Sequence, residues 1–469
     1  MRRTIASMMF LALGGLWTAA PAAEPASGDY SGYYSSASGG TASFKISDDE
    51  DPGTRAESAN LSAARVEAQA RPEKTALYVD GGGEGYGHEQ VGYFGGGGGG
   101  SGCGGCDSCG SGNLACGNGC ECAVNSFRFE YLAWFTRGRN TPPLVTTGSP
   151  ASEGVLGDPD TSILFGDDAI TDGLRSGGRI TFSHLFNDGR TYGDVRFWGL
   201  EDGSEGFARS SGGDPLLAVP FFNALLGVND SLLIAAPGVA TNGSINIVSK
   251  NDIIAADAWL RRTWYDDCCD RVDLLAGYMF TRLDDSIAIN AQTTTVAGPV
   301  PPAGTVLSTS DSFRTQNEFH GAQIGFLAEA YRGNWSVELL GKVALGDMRQ
   351  AVIINGSNTV IQPGGPTDTG SGGLFALPTN SGSFERHRMA FVPEVNLNLI
   401  YNINPCWRVM GGYSFVYWSN VVLAGNQIDP NLNFSQVPGP ITGPLLPQTT
   451  FARTDYWAQG LSLGAEYRW

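Results

Sequence analysis

The last nine residues of the chain alternate between two kinds of side chain without a break. Leucine, alanine and aromatic residues occupy one set of positions: Leu461, Leu463, Ala465, Tyr467 and Trp469. Small or charged residues occupy the other: Ser462, Gly464, Glu466 and Arg468. A period of two is that of a β-strand, whose successive side chains point to opposite sides. A sheet with one apolar and one charged face suits a barrel in a membrane, with lipid outside and a polar lumen.

The N-terminus predicts export from the cytoplasm. Arg2 and Arg3 precede an apolar stretch from Ile5 to Trp17, and small residues follow up to Ala23. This order is typical of a secretory signal peptide, which we place at residues 1–23. The alternative is one anchoring helix, but the run is shorter than the ~20 residues that a helical span needs. Later apolar runs are also short, so we expect any membrane crossing to be made by strands.

Composition narrows the class of protein further. Glycine accounts for 66 of the 469 residues, about twice its usual share, and charged residues for only 16% against a typical ~25%. The formal net charge of −18 excludes nucleic acid as a partner, because binding phosphate needs clustered Lys and Arg. Residues 24–122 combine Gly/Ser tracts with an acidic run at 48–51, which predicts a low-complexity, disordered linker in the periplasm.

From residue 123 to the end, alternating runs of about ten residues or more recur. A soluble sandwich also alternates, but its strands are usually five or six residues long, whereas tilted membrane strands need about ten. The connections alternate in length too. Short turns occur at 187–190, 266–270, 332–334 and 402–405, and long loops at 137–174, 201–251, 284–314, 347–384 and 420–454.

This asymmetry predicts an all-β, antiparallel, up-and-down transmembrane β-barrel with short periplasmic turns and long outer loops. Counting gives about ten strands, with both ends of the barrel domain, 123–469, on the periplasmic side. Eight or twelve strands stay open as alternatives, because 216–248 has room for another hairpin.

Charged residues within the alternating runs are the candidates for a lumen site, since they lie opposite the apolar face. The candidates are Arg128, Glu130, Arg196, Glu338, Lys342, Glu394, Arg408, Glu466 and Arg468. In a narrow barrel such residues pair across the lumen and fill it. In a wider one they line a channel and set its selectivity.

Nine cysteines form two groups. The first, in a Gly/Ser/Asn-rich run, comprises Cys103, Cys106, Cys109, Cys116, Cys120 and Cys122. We favour disulfides here because an exported chain meets an oxidising compartment, although thiolates at this spacing also suit zinc or an iron–sulfur cluster. Cys268, Cys269 and Cys406 lie at predicted periplasmic turns, and a bond from Cys269 or its neighbour to Cys406 is a further candidate. The spacing does not fix the pairing.

Catalysis finds little support in the sequence. Only His88, His184, His320 and His387 are available as bases of that type, and no Ser or Asp motif accompanies them. The Gly-rich strings at 81–87 and 95–100 do not connect a strand to a helix, so they do not fit a phosphate-binding loop. We therefore predict no enzyme activity, no cofactor and no resident metal.

Three segments of the barrel domain carry a family resemblance. Residues 130–134 read Glu-Tyr-Leu-Ala-Trp and the loop 142–148 reads Pro-Pro-Leu-Val-Thr-Thr-Gly; they are similar to the first strand, and the loop after it, of one bacterial family, the seventh of the numbered β-barrel porin families. Residues 412–422 with 427–430 resemble its penultimate strand, and 454–469 its closing strand. The resemblance covers roughly residue 127 to the end. It implies an outer-membrane barrel, and it implies no established substrate or catalytic residue.

Two functions remain as hypotheses. The first is a porin-like passive channel for small polar solutes or ions in the bacterial outer membrane. The second is a non-conducting barrel with a structural or adhesive role, exerted through long outer loops and the Cys-rich tether. The expected partners are outer-membrane lipid and, through the strand that ends at Trp469, the barrel-assembly machinery. Through the Cys-rich linker, other envelope components or a second copy of the chain stay as alternative partners.

Overall fold

The computed structural model describes residues 124–170, 173–267, 269–296, 302–436 and 440–469. The described part is all-β, and none of its helical segments is long and apolar enough to cross a membrane. Ten strands of its main sheet pair in a ring. They are β1 (Asn125–Thr136), β2 (Leu174–Leu185), β3 (Thr191–Ser211), β4 (Ala240–Asp266), β5 (Asp270–Thr295), β6 (Val306–Arg332), β7 (Trp335–Ile361), β8 (Gly382–Asn402), β9 (Trp407–Val422) and β10 (Arg453–Arg468).

The ten strands close into a ring in which every strand pairs with its neighbours in the sequence. All the pairings are antiparallel, and β10 returns to pair with β1, from Ser126 opposite Arg468 to Thr136 opposite Ala458. This is an up-and-down barrel. The predicted fold class and the count of ten strands are confirmed. The predicted linker and signal peptide lie outside the described residues.

The strand boundaries at one end of the ring differ from the prediction. β4 and β6 each run for 27 residues and β5 for 26, so they reach deep into segments that the sequence assigned to loops. The end of the ring with the four tight turns is called here the short-turn end, and the opposite end the long-loop end. The segment 216–248, which left room for another hairpin, does contain one, Leu217–Asn223 paired with Val228–Ala235, but this hairpin lies outside the ring and does not change the count of ten.

Further short elements cover the long-loop end. They are the strands Arg139–Asn140, Val145–Thr147, Ser162–Phe165, Ala169–Ile170, Thr367–Ser371 and Asn431–Leu432, and the 3-10 turns Gly425–Gln427 and Phe434–Gln436. Together with the extra hairpin they are called the cap. The hairpin strand Leu217–Asn223 pairs along its free edge with Val145–Thr147 near its start and with Asn431–Leu432 at its end. The cap is therefore built from loops that are far apart in the sequence.

An apolar belt surrounds the half of the ring next to the short-turn end. On β4 the outward positions from Ile254 to Trp264 are apolar except for Arg262. On β10 the outward Leu461 and Leu463 are 63% and 67% exposed. Eleven residues of a strand tilted by about 40° span roughly 25 Å, the height of the apolar band of a membrane barrel. The belt therefore faces lipid.

Beyond the belt the outward side becomes polar. On β4 the outward positions nearer the long-loop end are Asn242, Ser244, Asn246, Val248, Lys250 and Asp252. The inward positions become mainly apolar at the same height. Ile245, Ile247 and Phe313 are almost completely buried there. This half of the ring, called the extension, is polar outside and apolar inside, as in a water-soluble sheet.

A loop segment enters the extension from the long-loop end. It comprises residues 372–377, called the strap, and the side chains of Leu374, Phe375 and Leu377 are at most 2% exposed. The Asp311 carboxylate of β6 accepts hydrogen bonds from the backbone N–H groups of Leu374, Phe375 and Ala376 at 2.9–3.1 Å. A side chain at Gly373 would collide with Asp311, so only glycine permits this approach. The strap and the cap share one apolar core with the inward face of the extension.

Candidate functional site

The lumen inside the apolar belt holds a network of ion pairs. Arg128 of β1 contacts Glu338 of β7 and Glu466 of β10, each at 2.7 Å. Glu466 also binds Arg408 of β9 at 2.8 Å, and Arg408 contacts Glu329 of β6 at 3.1 Å. These strands lie on different sides of the ring, so the side chains meet across the lumen. Their pairing fills the space that a wider barrel would leave to water.

A second group of charges lies next to the first. Arg196 of β3 reaches Glu394 of β8 at 2.6 Å and also contacts Asp257 of β4. Lys342 of β7 binds the same two carboxylates, Asp257 at 3.0 Å and Glu394 at 3.1 Å. All four side chains are at most 3% exposed. Buried charges of this kind are tolerated only when each one is paired, so removing one partner destabilises the rest.

The structure places all nine predicted lumen residues on the inward side of the ring. Eight of them belong to these two groups or to the pair that Glu130 forms with Arg179, two bonds of 2.7 Å. Arg468 lies at the mouth of the short-turn end, binds Glu466 at 2.8 Å, and stays 31% exposed at its side chain.

Sequence reasoning missed three members of the network: Arg179, Asp257 and Glu329. For Asp257 a signal was present. This carboxylate interrupts an apolar stretch, and alternation places it on the same side of β4 as Trp259 and Arg261. Arg179 follows two glycines, which hide the alternation on one side of it.

The network borders a cavity of about 530 Å³ that extends to the short-turn end. The cavity starts at residues of the turns and chain ends, such as Val124, Gly189 and Pro405, and reaches Trp259 and Asn396 inside. Two buried polar atoms of its lining, Nε of Arg408 and Oδ1 of Asn398, have no protein partner. Since buried polar groups need hydrogen bonds, we expect water to occupy this cavity.

A layer of aromatic side chains lies above the charges, on the side of the long loops. Trp134 and Trp198 have ring centroids 5.0 Å apart, Trp198 and Trp418 6.2 Å, and Trp418 and Tyr456 6.1 Å. Trp134, Trp418 and Tyr456 are at most 1% exposed. None of these four rings lines the cavity at the short-turn end. The aromatic layer therefore separates that cavity from the long-loop end.

A second polar layer follows the aromatic one. Arg139, from the first long loop, reaches into the ring and binds Asp285 of β5 at 2.7 Å. The other oxygen of Asp285 accepts a hydrogen bond from the backbone N–H of Ala424 at 2.8 Å. Asn317 of β6 donates to the carbonyl of Val422 and accepts from its N–H, both at 2.8 Å. These bonds tie two long loops to the inner wall, and the apolar core of the cap lies directly above them.

The histidines of the described residues lie outside the lumen. His184 contacts Asn125 at 2.9 Å near the short-turn end, and His320 packs against the ring of Phe280 on the outer surface. His387 is exposed and lies 2.6 Å from Asp347.

Of the cysteine candidates, only Cys269 and Cys406 are described, both at the short-turn end. Their pairing stays a prediction, and Cys103 to Cys122 fall outside the described residues. Among the residues that are described, no cluster of His, Cys, Asp and Glu has the arrangement of a metal site.

A closed ring of ten strands, an apolar outer belt and a charged interior define an outer-membrane β-barrel. The family model described as Putative beta barrel porin-7 (BBP7) matches residues 127–469, and the chain belongs to that family. The family resemblance found in the sequence is thereby confirmed. No curated protein matches the chain.

Two of the solved structures that the chain matches are an outer membrane protease and a toluene transporter. The outer membrane protease OmpT from Escherichia coli is 8% identical, with 74% of this chain and 96% of that chain covered and a TM-score of 0.32. The toluene transporter TbuX from Ralstonia pickettii is 10% identical, with 73% and 90% covered and a TM-score of 0.14. These TM-scores are too low to say what this chain does.

Proposed function

We propose that this protein is a non-conducting barrel that anchors a rigid β-structured cap at the bacterial cell surface. The observation that carries the proposal is the filled lumen. Ion pairs, aromatic rings, a second polar layer and the cap core follow one another from the cavity to the long loops. No step of catalysis belongs to this role, so on this proposal the protein is not an enzyme.

The orientation follows from the two ends. Short turns face the periplasm in barrels of the outer membrane, and long loops face outside. On this basis the cap lies outside the cell and residues 24–122 continue into the periplasm from β1. The barrel-assembly machinery would meet the strand that ends at Trp469, as the sequence predicts.

The cap carries an apolar tip that suits contact with another surface. Leu225, Leu226 and Val228, at the turn of the cap hairpin, are 52%, 68% and 51% exposed, and Leu445 is 61% exposed. The loop that carries Leu445 passes beside the hairpin turn, because a side chain at Gly443 would touch Leu225. Exposed apolar patches on soluble surfaces mark sites of interaction. This favours a structural or adhesive role for the cap.

A porin-like passage is the second candidate, and the family description and the cavity at the short-turn end favour it. Liposome swelling with small sugars separates the two functions. The full chain, folded as judged by heat-modifiable gel mobility, should swell no faster than empty liposomes, with a general porin as positive control. Swelling that increases with the amount of folded protein would establish the passage and refute the proposal.

A further inference from the structure

The ring wall is incomplete at one place just above the apolar belt. β9 pairs with β8 only from Val416 opposite Glu394 to Arg408 opposite Asn402. Beyond Trp418 the pairing of β9 with β10 is irregular, Asn420 has a positive φ of 56°, and Val421 and Val422 turn into the lumen. β8 therefore has no backbone ladder to β9 between residues 382 and 393. The side chains of Ser419 and Asn420 still bond to the Phe391 N–H and the Met389 carbonyl, at 2.8 and 3.0 Å, so the gap itself lies at residues 382–388.

Three arginines converge on this gap. The guanidinium of Arg386 donates to Gln350 at 2.6 Å and to the Phe451 carbonyl at 2.9 Å, and it lies 4.5 Å from the centre of the Phe451 ring. Burial, followed by the positive charges of Arg388 and Arg453, lowers the pKa of Arg386. The three positive charges are thus close enough to repel one another.

These arginines have no acidic partner among the residues that the structure describes. The acidic side chains around them are engaged elsewhere. Glu385 binds Arg349 at 2.7 Å, and Asp347 binds His387 at 2.6 Å. The carboxylate of Asp455 lies beside the hydroxyl of Tyr417. In a chain with a net charge of −18, three unpaired arginines at one place need an explanation.

Most of their donor groups are free. A guanidinium has five N–H donors. Arg386 uses two of them, and Arg388 uses one, on the His387 carbonyl at 3.4 Å. Arg453 is exposed and makes no side-chain hydrogen bond within the described part of the chain. Guanidinium groups bind phosphate oxygens through two parallel bonds, which makes an arginine cluster a fitting phosphate site.

The position of the three arginines, just above the lipid-facing belt, indicates that the phosphate belongs to a lipid and not to a soluble anion. Arg386 and Arg388 start from the inward side of β8, opposite Gln350 and Met348, and the gap opens them to the outside. Directly below the gap the outward side is apolar: Met389 is 71% exposed, and Phe391 packs on Tyr417 with ring centroids 5.8 Å apart. Trp457 occupies the same level on β10. Acyl chains would lie on these side chains, and the headgroup at their end would meet the arginines. A soluble anion would not contact the apolar surface, whereas a lipid contacts both it and the arginines.

We propose that Arg386, Arg388 and Arg453 bind the phosphorylated headgroup of a lipid in the leaflet next to the long loops. The lipid closes the gap between β8 and β10 from outside, with phosphate on the guanidinium groups and acyl chains on the upper edge of the belt. On the orientation proposed above, this is the outer leaflet.

The experiment is lipid titration of the full chain in detergent, followed by native mass spectrometry. The two probes are phosphatidic acid and diacylglycerol with the same acyl chains, which differ only in the phosphate. The double variant R388Q/R453Q removes two guanidinium groups that no carboxylate holds. The matched control is R282Q/R349Q, which removes two exposed guanidinium groups that bind Asp284, Glu318 and Glu385. Heat-modifiable mobility shows that each variant has folded.

We expect phosphatidic acid, and not diacylglycerol, to bind the wild type. The apparent affinity should fall about tenfold or more in R388Q/R453Q, stay within about twofold in R282Q/R349Q, and recover in part in R388K/R453K. Equal binding of the two lipids, or an equal loss in both double variants, would overturn the proposal. Displacement of phosphatidic acid by an equimolar amount of inorganic phosphate would do so too, because it would indicate a site for soluble anions.

Discussion

The belt half and the extension of this barrel are built from the same strands, yet their two faces are exchanged. In the belt half the apolar side chains point outward and the charged ones inward, as for Leu260 beside Asp257 on β4. In the extension, Lys250 points outward and Ile247 inward on the same strand. The exchange occurs between Asp252 and Ile254. It teaches that the surroundings of a strand, lipid or water, decide which face is apolar, while the period of two is unchanged.

The interiors of the two halves differ in how their stability responds to a mutation. The belt half holds a network of buried, fixed charges, so its stability depends on complete pairing. The extension has an apolar core, which responds to volume and to hydrogen bonding of the few polar groups within it. Both interiors are filled, and this makes the barrel closed along its length above the cavity.

The largest effect is expected from breaking the charge network of the belt half. Replacing Arg196 by Met leaves Asp257 and Glu394 buried with Lys342 as their one cation. The free energy of unfolding should fall by about 3–5 kcal/mol, measured by urea titration of the barrel folded in lipid vesicles. The matched control is K250M, which removes an exposed charge of the extension and should change it by less than ~0.5 kcal/mol. Similar effects of the two variants would contradict the comparison.

The boundary between the two outer surfaces can be tested with one new charge on each side of it. Leu463→Arg places a guanidinium on the lipid-facing belt and should cost about 2–4 kcal/mol of unfolding free energy. Asn246→Arg places the same group on the outward side of the extension, where water solvates it, and should cost less than ~0.5 kcal/mol. A large cost at Asn246 would mean that the membrane reaches higher than the belt.

The strap should respond to pH through Asp311, which lies in the extension, beyond the belt. Burial raises the pKa of Asp311 from 3.8 to about 6, although three backbone N–H groups favour the charged form. Because the pKa of Asp311 is higher in the folded chain than in the unfolded one, its protonated form stabilises the fold. This stabilisation is complete below pH ~4 and is lost as the pH rises through about 6. The difference is about two pKa units, or at most ~3 kcal/mol.

Hydrogen exchange of residues 374–377, corrected for the intrinsic dependence on pH, measures this effect. The wild type should be better protected at pH 4 than at pH 8. In the variant D311N, which does not titrate, protection should be lower throughout and independent of pH, because an amide nitrogen cannot accept the strap's hydrogen bonds. Equal protection of the wild type at both values would remove Asp311 as the cause.

The smallest effect on stability is expected at the apolar tip of the cap. Leu226→Ser changes a side chain that is 68% exposed, so the unfolding free energy should change by less than ~0.5 kcal/mol. Retention of cells that display the protein on a hydrophobic column should nevertheless decrease. The control is Ser231→Ala on the same hairpin, which leaves the tip intact. Unchanged retention of L226S would separate the tip from surface contact.

The sequence predicted the ring because the belt part of many strands shows a clear alternation, with apolar residues at every second position, as in Phe127, Phe129 and Tyr131 of β1. The continuation of the strands into the extension was not predicted, and the reason is physical. Its outward residues are Asn, Ser, Thr and Gln, with glycine nearby, and such composition is typical of loops. The predicted strands therefore end about where the observed strands leave the belt.

The candidate site was predictable in its residues and not in its connections. Alternation assigns Arg196 and Glu394 to the lumen, but their contact joins strands that are 198 residues apart, which no local pattern encodes. The aromatic layer was not predicted, because its rings come from β1, β3, β9 and β10 and meet only in the folded ring. The strap was missed because it is short and depends on one glycine and one distant carboxylate.

Single-channel recording in a planar lipid bilayer tests the central claim, the closed lumen, most directly. The sample is the full chain, refolded and checked by circular dichroism and heat-modifiable mobility. The account predicts a silent membrane in concentrated potassium chloride at both polarities of applied voltage. Stable current steps of uniform size, seen with the wild type and in proportion to the protein added, would contradict it. The ion pairs and aromatic rings would then have to leave a path for ions.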